Sequence, residues 1–319
     1  MLTPLDFIQD LFNPDLRFLG KALVVSLLSS VVCGVIGTHV VLRGMAFIGD
    51  AVTHAVFPGL AVAFVLQGNL ALGGAIAGVA TAVLVALFSQ SQRLREDSVI
   101  GVLFVAAFAL GIVIISFAPG YAGSLQSFLF GSITGITDGD VLTALLGGAL
   151  IVAVTLAIHK ELVLVSLDRE SARALGMPVA RLDVTLYVLV ALAVVISIQT
   201  IGNILVLALL ITPAAASRYL TDRIGVMMVL SPLIGGGSAV VGLFLSWSLD
   251  LPTGGMIVLT ATAVFVCAWL LGPRHGVLRR RTRGTRPRRR GAAGKPAATG
   301  RSARASGRAA PQARQASSR

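Results

Sequence analysis

Asp50 and His54 are the two side chains whose types and spacing could do chemistry in an otherwise apolar stretch, GMAFIGDAVTHAVFPGLAVAFVL (44–66). The i, i+4 spacing places the carboxylate and the imidazole on one helical face. An aspartate in the middle of a membrane helix costs about 3 kcal/mol on insertion scales, so such residues usually serve a function. Pro58 has no N–H, so we expect a kink there and a free carbonyl at His54.

A carboxylate, an imidazole and a carbonyl that converge at one kink suit a divalent transition-metal ion better than they suit lipid. The pair Asp50–His54 is therefore a candidate metal site. The alternative is a polar pair that joins two helices and binds no ion.

Composition indicates a polytopic membrane protein. The chain has 319 residues, of which 55% are hydrophobic and 13% charged, with a mean hydropathy of +0.88 and 35 glycines. The net charge of +12 comes from the C-terminus, because residues 274–319 contain 15 Lys or Arg and no acid, whereas residues 1–273 contain 11 basic and 14 acidic residues. This distribution argues against a nucleic-acid partner.

Apolar runs long enough to cross a bilayer recur along the chain and predict an all-α fold. They lie near residues 19–42, 45–66, 70–89, 99–117, 140–158, 184–202, 204–217, 226–248 and 255–272. The run at 204–217 is short, and we expect Pro213 to kink or break it. The chain is therefore expected to have eight or nine transmembrane helices.

Basic residues lie in alternate loops, which predicts the orientation in the membrane. They occur at Arg43, in 90–97, 159–183 and 218–223, and in the C-terminal segment, whereas the other loops contain none. The pattern places the C-terminus in the cytoplasm. Nine spans would put the N-terminus outside, and eight would reverse it.

Three segments flank or interrupt the spans. Residues 1–16 form an amphipathic N-terminal segment before a transmembrane domain at 17–272, and residues 124–133 (SLQSFLFGSI) are expected to form a short helix on the outer side. Residues 273–319 form an Arg-rich tail that lacks large apolar side chains, so we expect it to be disordered in the cytoplasm. It either binds anionic membrane lipids or is simply solvated.

The loop at 166–183 predicts a short cytoplasmic helix. Asp168 and Glu170 stand at its N-terminus, where acids favour the helix dipole, and Gly176 and Pro178 end it. Such a helix is either a docking site for a soluble partner or an ordinary interhelical loop.

The sequence contains none of the common motifs for ATP binding or intramembrane proteolysis. GxxxxGK[ST], HExxH and GxSxG do not occur, and Phe47 stands where a GxGD protease motif needs glycine. We therefore expect no enzymatic activity.

Four ordered blocks resemble a known family. They are VVLRGMAFIGDAVTHAVFPGLAVAF, LREDSVIGVLFVAAFALGIVIIS, LDRESARALGMPV and LALLITPAAASRYLTDR. Together they resemble the membrane permease subunit of bacterial zinc and manganese ABC importers (ABC-3 type), over residues 17–272. The resemblance implies a homodimeric permease of type II importer architecture in the bacterial cytoplasmic membrane. It also implies a pair of cytoplasmic ATP-binding subunits and an extracytoplasmic metal-binding protein as partners.

The resemblance also implies roles for particular residues. The family's intramembrane metal ligands map onto Asp50 and His54 in GDAVTHA, where Thr53 replaces the usual serine. His39 is either an accessory ligand or an interfacial histidine. The family's ATPase coupling helix maps onto 168–176, with these candidate residues: Asp168, Arg169, Glu170, Ala172, Leu175 and Gly176.

The expected function is import of zinc or manganese, with iron also open, and no permanently bound cofactor. Two other classes remain: a cation-coupled secondary transporter that uses Asp50 as a proton carrier, and a membrane anchor protein in which the Asp50–His54 pair is structural.

Overall fold

Nine helical segments in the described part of the chain are long and apolar enough to cross a membrane. A computed structural model describes residues 3–89, 96–117 and 135–273. Its α-helices are α1 (Pro4–Leu11), α2 (Arg17–Leu42), α3 (Phe47–Ala55), α4 (Phe57–Val65), α5 (Leu70–Ser89), α6 (Glu96–Ile115), α7 (Asp138–Ala157), α8 (His159–Leu167), α9 (Arg169–Ala174), α10 (Val179–Ile201), α11 (Asn203–Leu220), α12 (Ile224–Leu249) and α13 (Thr253–Leu271). The expected all-α membrane architecture is confirmed.

The described residues contain nine candidate membrane spans, whereas the sequence had left the number at eight or nine. α3 and α4 together form one span, Phe47–Val65. α11 does not end at Pro213, as its sequence suggested, but continues through the buried proline to Leu220. Pro213 removes one intrahelical N–H, and transmembrane helices tolerate such a proline because neighbouring helices and local backbone adjustments can satisfy the freed carbonyl. The expected break was wrong, although Pro213 does lie inside the helix.

The central helix of the bundle is α2, which packs against α7, α10, α11 and α12. Small residues allow these helices to approach closely. A methyl group added at Gly37 of α2 would lie 1.9 Å from the carbonyl oxygen of Leu210 in α11. α4 and α5 cross in the same way, because a methyl group at Gly59 would lie 2.0 Å from the carbonyl oxygen of Gly73.

The N-terminal helix α1 is held against the bundle by aromatic side chains. Its start is fixed by a capping box between Thr3 and Asp6. The ring of Phe7 meets that of Phe244 edge-on, with centroids 5.5 Å apart, and the Trp247 indole N–H donates to an oxygen of Asp10 at 2.9 Å. The predicted helix at 124–133 and the basic tail beyond Pro273 lie outside the described residues.

Candidate metal-binding site

The turn between α2 and α3 places Asp50 in the first turn of α3, shortly after the first span ends. Arg43 caps α2, and Gly44 adopts a left-handed conformation with φ of +70°. The amide of Gly44 donates to the carbonyl of Val41, and that of Met45 donates to the carbonyl of Val40. These two bonds form a Schellman motif, which needs a residue at positive φ. The chain then re-enters the bundle as α3.

Asp50 and His54 face each other on α3, as the i, i+4 spacing predicts. The nearest approach is 3.5 Å, between Oδ1 of Asp50 and Nε2 of His54. The side chain of Asp50 is 42% exposed and that of His54 is 22% exposed. The hydroxyl of Thr53 turns inward and donates to the carbonyl of Asp50 at 2.7 Å. The carboxylate and the imidazole are therefore close together and both partly exposed.

Aromatic rings fix the orientation of the His54 imidazole. Phe104 and Phe108 of α6 meet this ring edge-on, with centroid distances of 5.0 and 5.1 Å. Its Nδ1 is buried and has no protein hydrogen-bond partner. The imidazole is therefore held by packing, with its Nε2 directed toward Asp50.

The helix is interrupted at Val56, between α3 and α4, next to Pro58. Pro58 offers no N–H to the carbonyl of His54, as expected. The amide of Val56 donates to the carbonyl of Val52 at 3.0 Å and is directed only weakly toward the carbonyl of His54. The interruption of the helix is observed, and the free carbonyl of His54 stays a prediction.

The separation of the two side chains fits a bound ion. Two ligand atoms about 2.1 Å from one ion at a tetrahedral angle lie about 3.4 Å apart, close to the observed distance. In the described residues no group of three or more His, Cys, Asp or Glu side chains is close enough to hold a metal. Asp50 and His54 are therefore the two candidate side-chain ligands at this position in the described residues.

His39 does not join this pair. It is completely buried in α2, and its Nε2 lies 3.3 Å from Nδ1 of His159, the first residue of α8. The two rings meet edge-on with centroids 5.3 Å apart. Sequence reasoning did not identify His159, because nothing local relates two histidines 120 residues apart.

The loop predicted as a docking element contains the helix α9. The carboxylate of Asp168 caps it by accepting from the amides of Glu170, at 3.1 Å, and Ser171, at 3.0 Å. The hydrogen bond from the hydroxyl of Ser171, and to a smaller extent the bond from its amide, lower the pKa of Asp168 below its usual value. Gly176 ends the loop helix at a φ of +76°. Ala172 lies on the buried side of the helix, and Leu175 is exposed.

A buried carboxylate, which the sequence reasoning also missed, lies between α9 and the α2–α3 turn. Asp183 of α10 accepts from the guanidinium of Arg43 at 2.6 Å and from that of Arg169. Arg43 also donates to the hydroxyl of Ser166 at 3.1 Å. The available signal was only the type of these residues, because charged side chains at the ends of apolar runs are rarely buried unless they are paired.

Comparison with known proteins gives the family. The model of the ABC 3 transport family matches residues 15–272. The manganese transport system membrane protein MntC of Halalkalibacterium halodurans is 39% identical over 269 residues, 84% of this chain and 92% of its own length. The chelated iron transport system membrane protein YfeC of Yersinia pestis is 36% identical over 274 residues, 86% of this chain and 92% of its own.

A solved structure has the same fold. PsaBC from Streptococcus pneumoniae, determined in complex with a Fab, contains a chain that is 33% identical and superposes with a TM-score of 0.78. The match covers 88% of this chain and all of that one. The resemblance inferred from the four sequence blocks is confirmed. The chain is a membrane permease subunit that belongs to the ABC 3 transport family.

Proposed function

We propose that this permease imports Mn²⁺ across the bacterial cytoplasmic membrane and that the ion passes through the site formed by Asp50 and His54. The observation that carries the proposal is the 3.5 Å separation of their ligand atoms in a span that is otherwise apolar. Relatives named as manganese transport proteins, such as MntC, support manganese, and YfeC supports iron as the next candidate.

The ligand types are consistent with this cargo. A carboxylate oxygen and an imidazole nitrogen accept Mn²⁺, Fe²⁺ and Zn²⁺, so the ligand set alone leaves zinc as an admissible cargo. A transport site must also release its ion. Two side chains supplemented by water or a carbonyl bind more weakly than a closed cage of four protein ligands, which suits release.

The open face of α3 supports a homodimer. Phe47, Asp50 and His54 are spaced i, i+3 and i+7, so they lie on one side of the helix, and Phe47 is 67% exposed. An exposed carboxylate would be costly against lipid. A second copy of the chain would cover this face and line the ion pathway together with the first.

The energy source would be a separate pair of cytoplasmic ATP-binding subunits, because the sequence has no P-loop. α9 would be their docking helix. Glu170 on the helix and Leu175 directly after it are exposed, and Gly176 ends this segment. An extracytoplasmic metal-binding protein would deliver the ion. The C-terminus would be cytoplasmic, and the basic tail would lie near anionic lipids.

Reconstitution tests the proposal. Proteoliposomes that contain the permease with its ATP-binding subunits should accumulate Mn²⁺ only when ATP and the loaded metal-binding protein are both supplied, and the purified permease alone should not hydrolyse ATP. Uptake driven by an ion gradient without ATP would instead identify a secondary transporter. Complex formation without any metal uptake would identify an anchor protein.

A further inference from the structure

A buried ion cluster ties α9 to the α2–α3 turn. The side chains of Arg43 and Asp183 are only 6% and 5% exposed, and their Nη1 and Oδ1 atoms are 2.6 Å apart. The second oxygen of Asp183 accepts from Arg169, the first residue of α9. One carboxylate therefore holds two guanidinium groups from elements that are 126 residues apart in sequence (169 − 43).

A second tether holds the other side of the same turn. The hydroxyl of Tyr187 donates to the sulfur of Met45 at 3.3 Å, and both residues are buried. Tyr187 lies four residues after Asp183, so both project from one face of α10. α10 therefore contacts the α2–α3 turn at Arg43 and at Met45. Both contacts lie just before α3, which begins at Phe47 and carries Asp50.

The Arg43–Asp183 pair is shielded from solvent. Because Asp183 and Arg43 are nearly inaccessible, breaking the contact between them would leave the buried guanidinium of Arg43 without a carboxylate partner, which is strongly unfavourable. Arg169 is partly exposed and lies next to Asp168, the cap of α9. A displacement of α9 would therefore pull on Asp183 through Arg169, and on the turn through Arg43.

We propose that Asp183 is a positioning residue that couples α9 to the intramembrane metal site through Arg43 and the α2–α3 turn. The proposal rests on the proposed function, in which an ATP-binding subunit docks on α9. When that subunit moves α9, the turn and the first turn of α3 move with it, and the orientation of Asp50 relative to His54 changes. Asp183 does not itself touch the ion.

The test measures Mn²⁺ transported per ATP hydrolysed by the complete complex in proteoliposomes. Asp183→Asn keeps the shape but removes the charge, and it should lower this ratio at least about tenfold, because the two guanidinium groups lose their shared carboxylate. ATP hydrolysis and equilibrium Mn²⁺ binding should stay within about twofold of wild type, which a general structural defect would not allow. Asp183→Glu should restore more than half of the ratio.

The matched control is Asp138→Asn. Asp138 also forms an ion pair, with Lys21 at 2.8 Å, but its side chain is exposed, so this variant should couple like wild type. If Asp183→Asn fails to assemble, Arg169→Gln decides the matter, since it leaves the Arg43–Asp183 pair intact. Arg169→Gln should lower the ratio, and Arg169→Lys should retain most of it.

Two results would overturn the proposal. One is an unchanged ratio in Asp183→Asn or, where that variant does not assemble, in Arg169→Gln. The other is a loss of Mn²⁺ binding in proportion to the loss of transport, which would mean that the cluster only supports the binding site. A wild-type complex that does not transport Mn²⁺ at all would refute the proposed function instead, so the two failures can be distinguished.

Discussion

Gly37→Ala should destabilise the permease and disturb the proposed metal site, although the substitution lies in a different helix from Asp50. Gly37 of α2 packs against the main chain of Leu210 in α11, where an added methyl group would lie 1.9 Å from the carbonyl oxygen. An ordinary carbon–oxygen contact is about 3.3 Å, so the two helices would have to separate by more than about 1 Å.

The expected cost follows from two opposing terms. Overpacking of this kind costs about 1–3 kcal/mol, whereas replacing glycine by alanine within a helix gains up to about 1 kcal/mol. The net destabilisation is therefore about 1–2 kcal/mol, which corresponds to a fall in Tm of about 2–4 °C for a chain of this size.

The displacement should also reach the site. A methyl group at Gly49 would lie 2.7 Å from Cδ2 of Leu210, so the side chain of this leucine packs directly beneath the residue that precedes Asp50. If α11 moves away from α2, this support moves with it. We therefore expect Mn²⁺ affinity to fall in Gly37→Ala as well as Tm.

The assay is thermal unfolding in detergent, with Mn²⁺ binding measured on the same preparations. Gly237→Ala is the matched control, because Gly237 lies within α12 and nothing approaches its added methyl group within 4 Å. Its Tm should stay the same or rise by about 1–2 °C. Equal Tm values for the two alanine variants would refute the packing argument.

Two further predictions concern the short helix α9 and the N-terminal helix α1. Asp168→Ala should weaken binding of the ATP-binding subunit about fivefold, because α9 loses its cap. Wild-type docking should be constant from pH 5 to 8 and weaken only below about pH 4. The reason is that a carboxyl with a lowered pKa contributes stability above its unfolded pKa, and this stability is lost as the pH falls through the folded pKa. The sequence has two tryptophans, so Trp247 is the remaining one in a Trp269→Phe background. In that background, Asp10→Ala should shift the fluorescence emission of Trp247, because its indole loses a 2.9 Å hydrogen bond. An unchanged spectrum would argue against the docking of α1.

Most of the helical architecture could be predicted from the sequence because hydrophobic length is a local property. Each apolar run became a helix near its predicted position. Pro213 misled the prediction, because a local propensity argument does not show that the surrounding bundle supports a helix with one missing hydrogen bond. The short helix α9 was predictable from its capping aspartate and its terminal glycine, which both act within a few residues.

The candidate site was predictable only where its parts are close in sequence. The facing of Asp50 and His54 follows from helical periodicity. The rings of Phe104 and Phe108, which orient His54, come from α6, and the contact of His39 with His159 spans 120 residues. Arg43 and Asp183 are 140 residues apart. One sequence carries no signal for such pairs, because they depend on which helices pack together.

The central claim, that Asp50 and His54 bind the transported ion, is tested most directly by equilibrium Mn²⁺ binding to the purified complex without ATP. Asp50→Asn and His54→Ala should each weaken binding at least about tenfold, because each removes one of two protein ligands, while the complex still inserts and assembles. Asp138→Asn is the matched aspartate control and should bind Mn²⁺ like wild type, because Asp138 is exposed and pairs with Lys21. Wild-type affinity in both Asp50→Asn and His54→Ala would contradict the account.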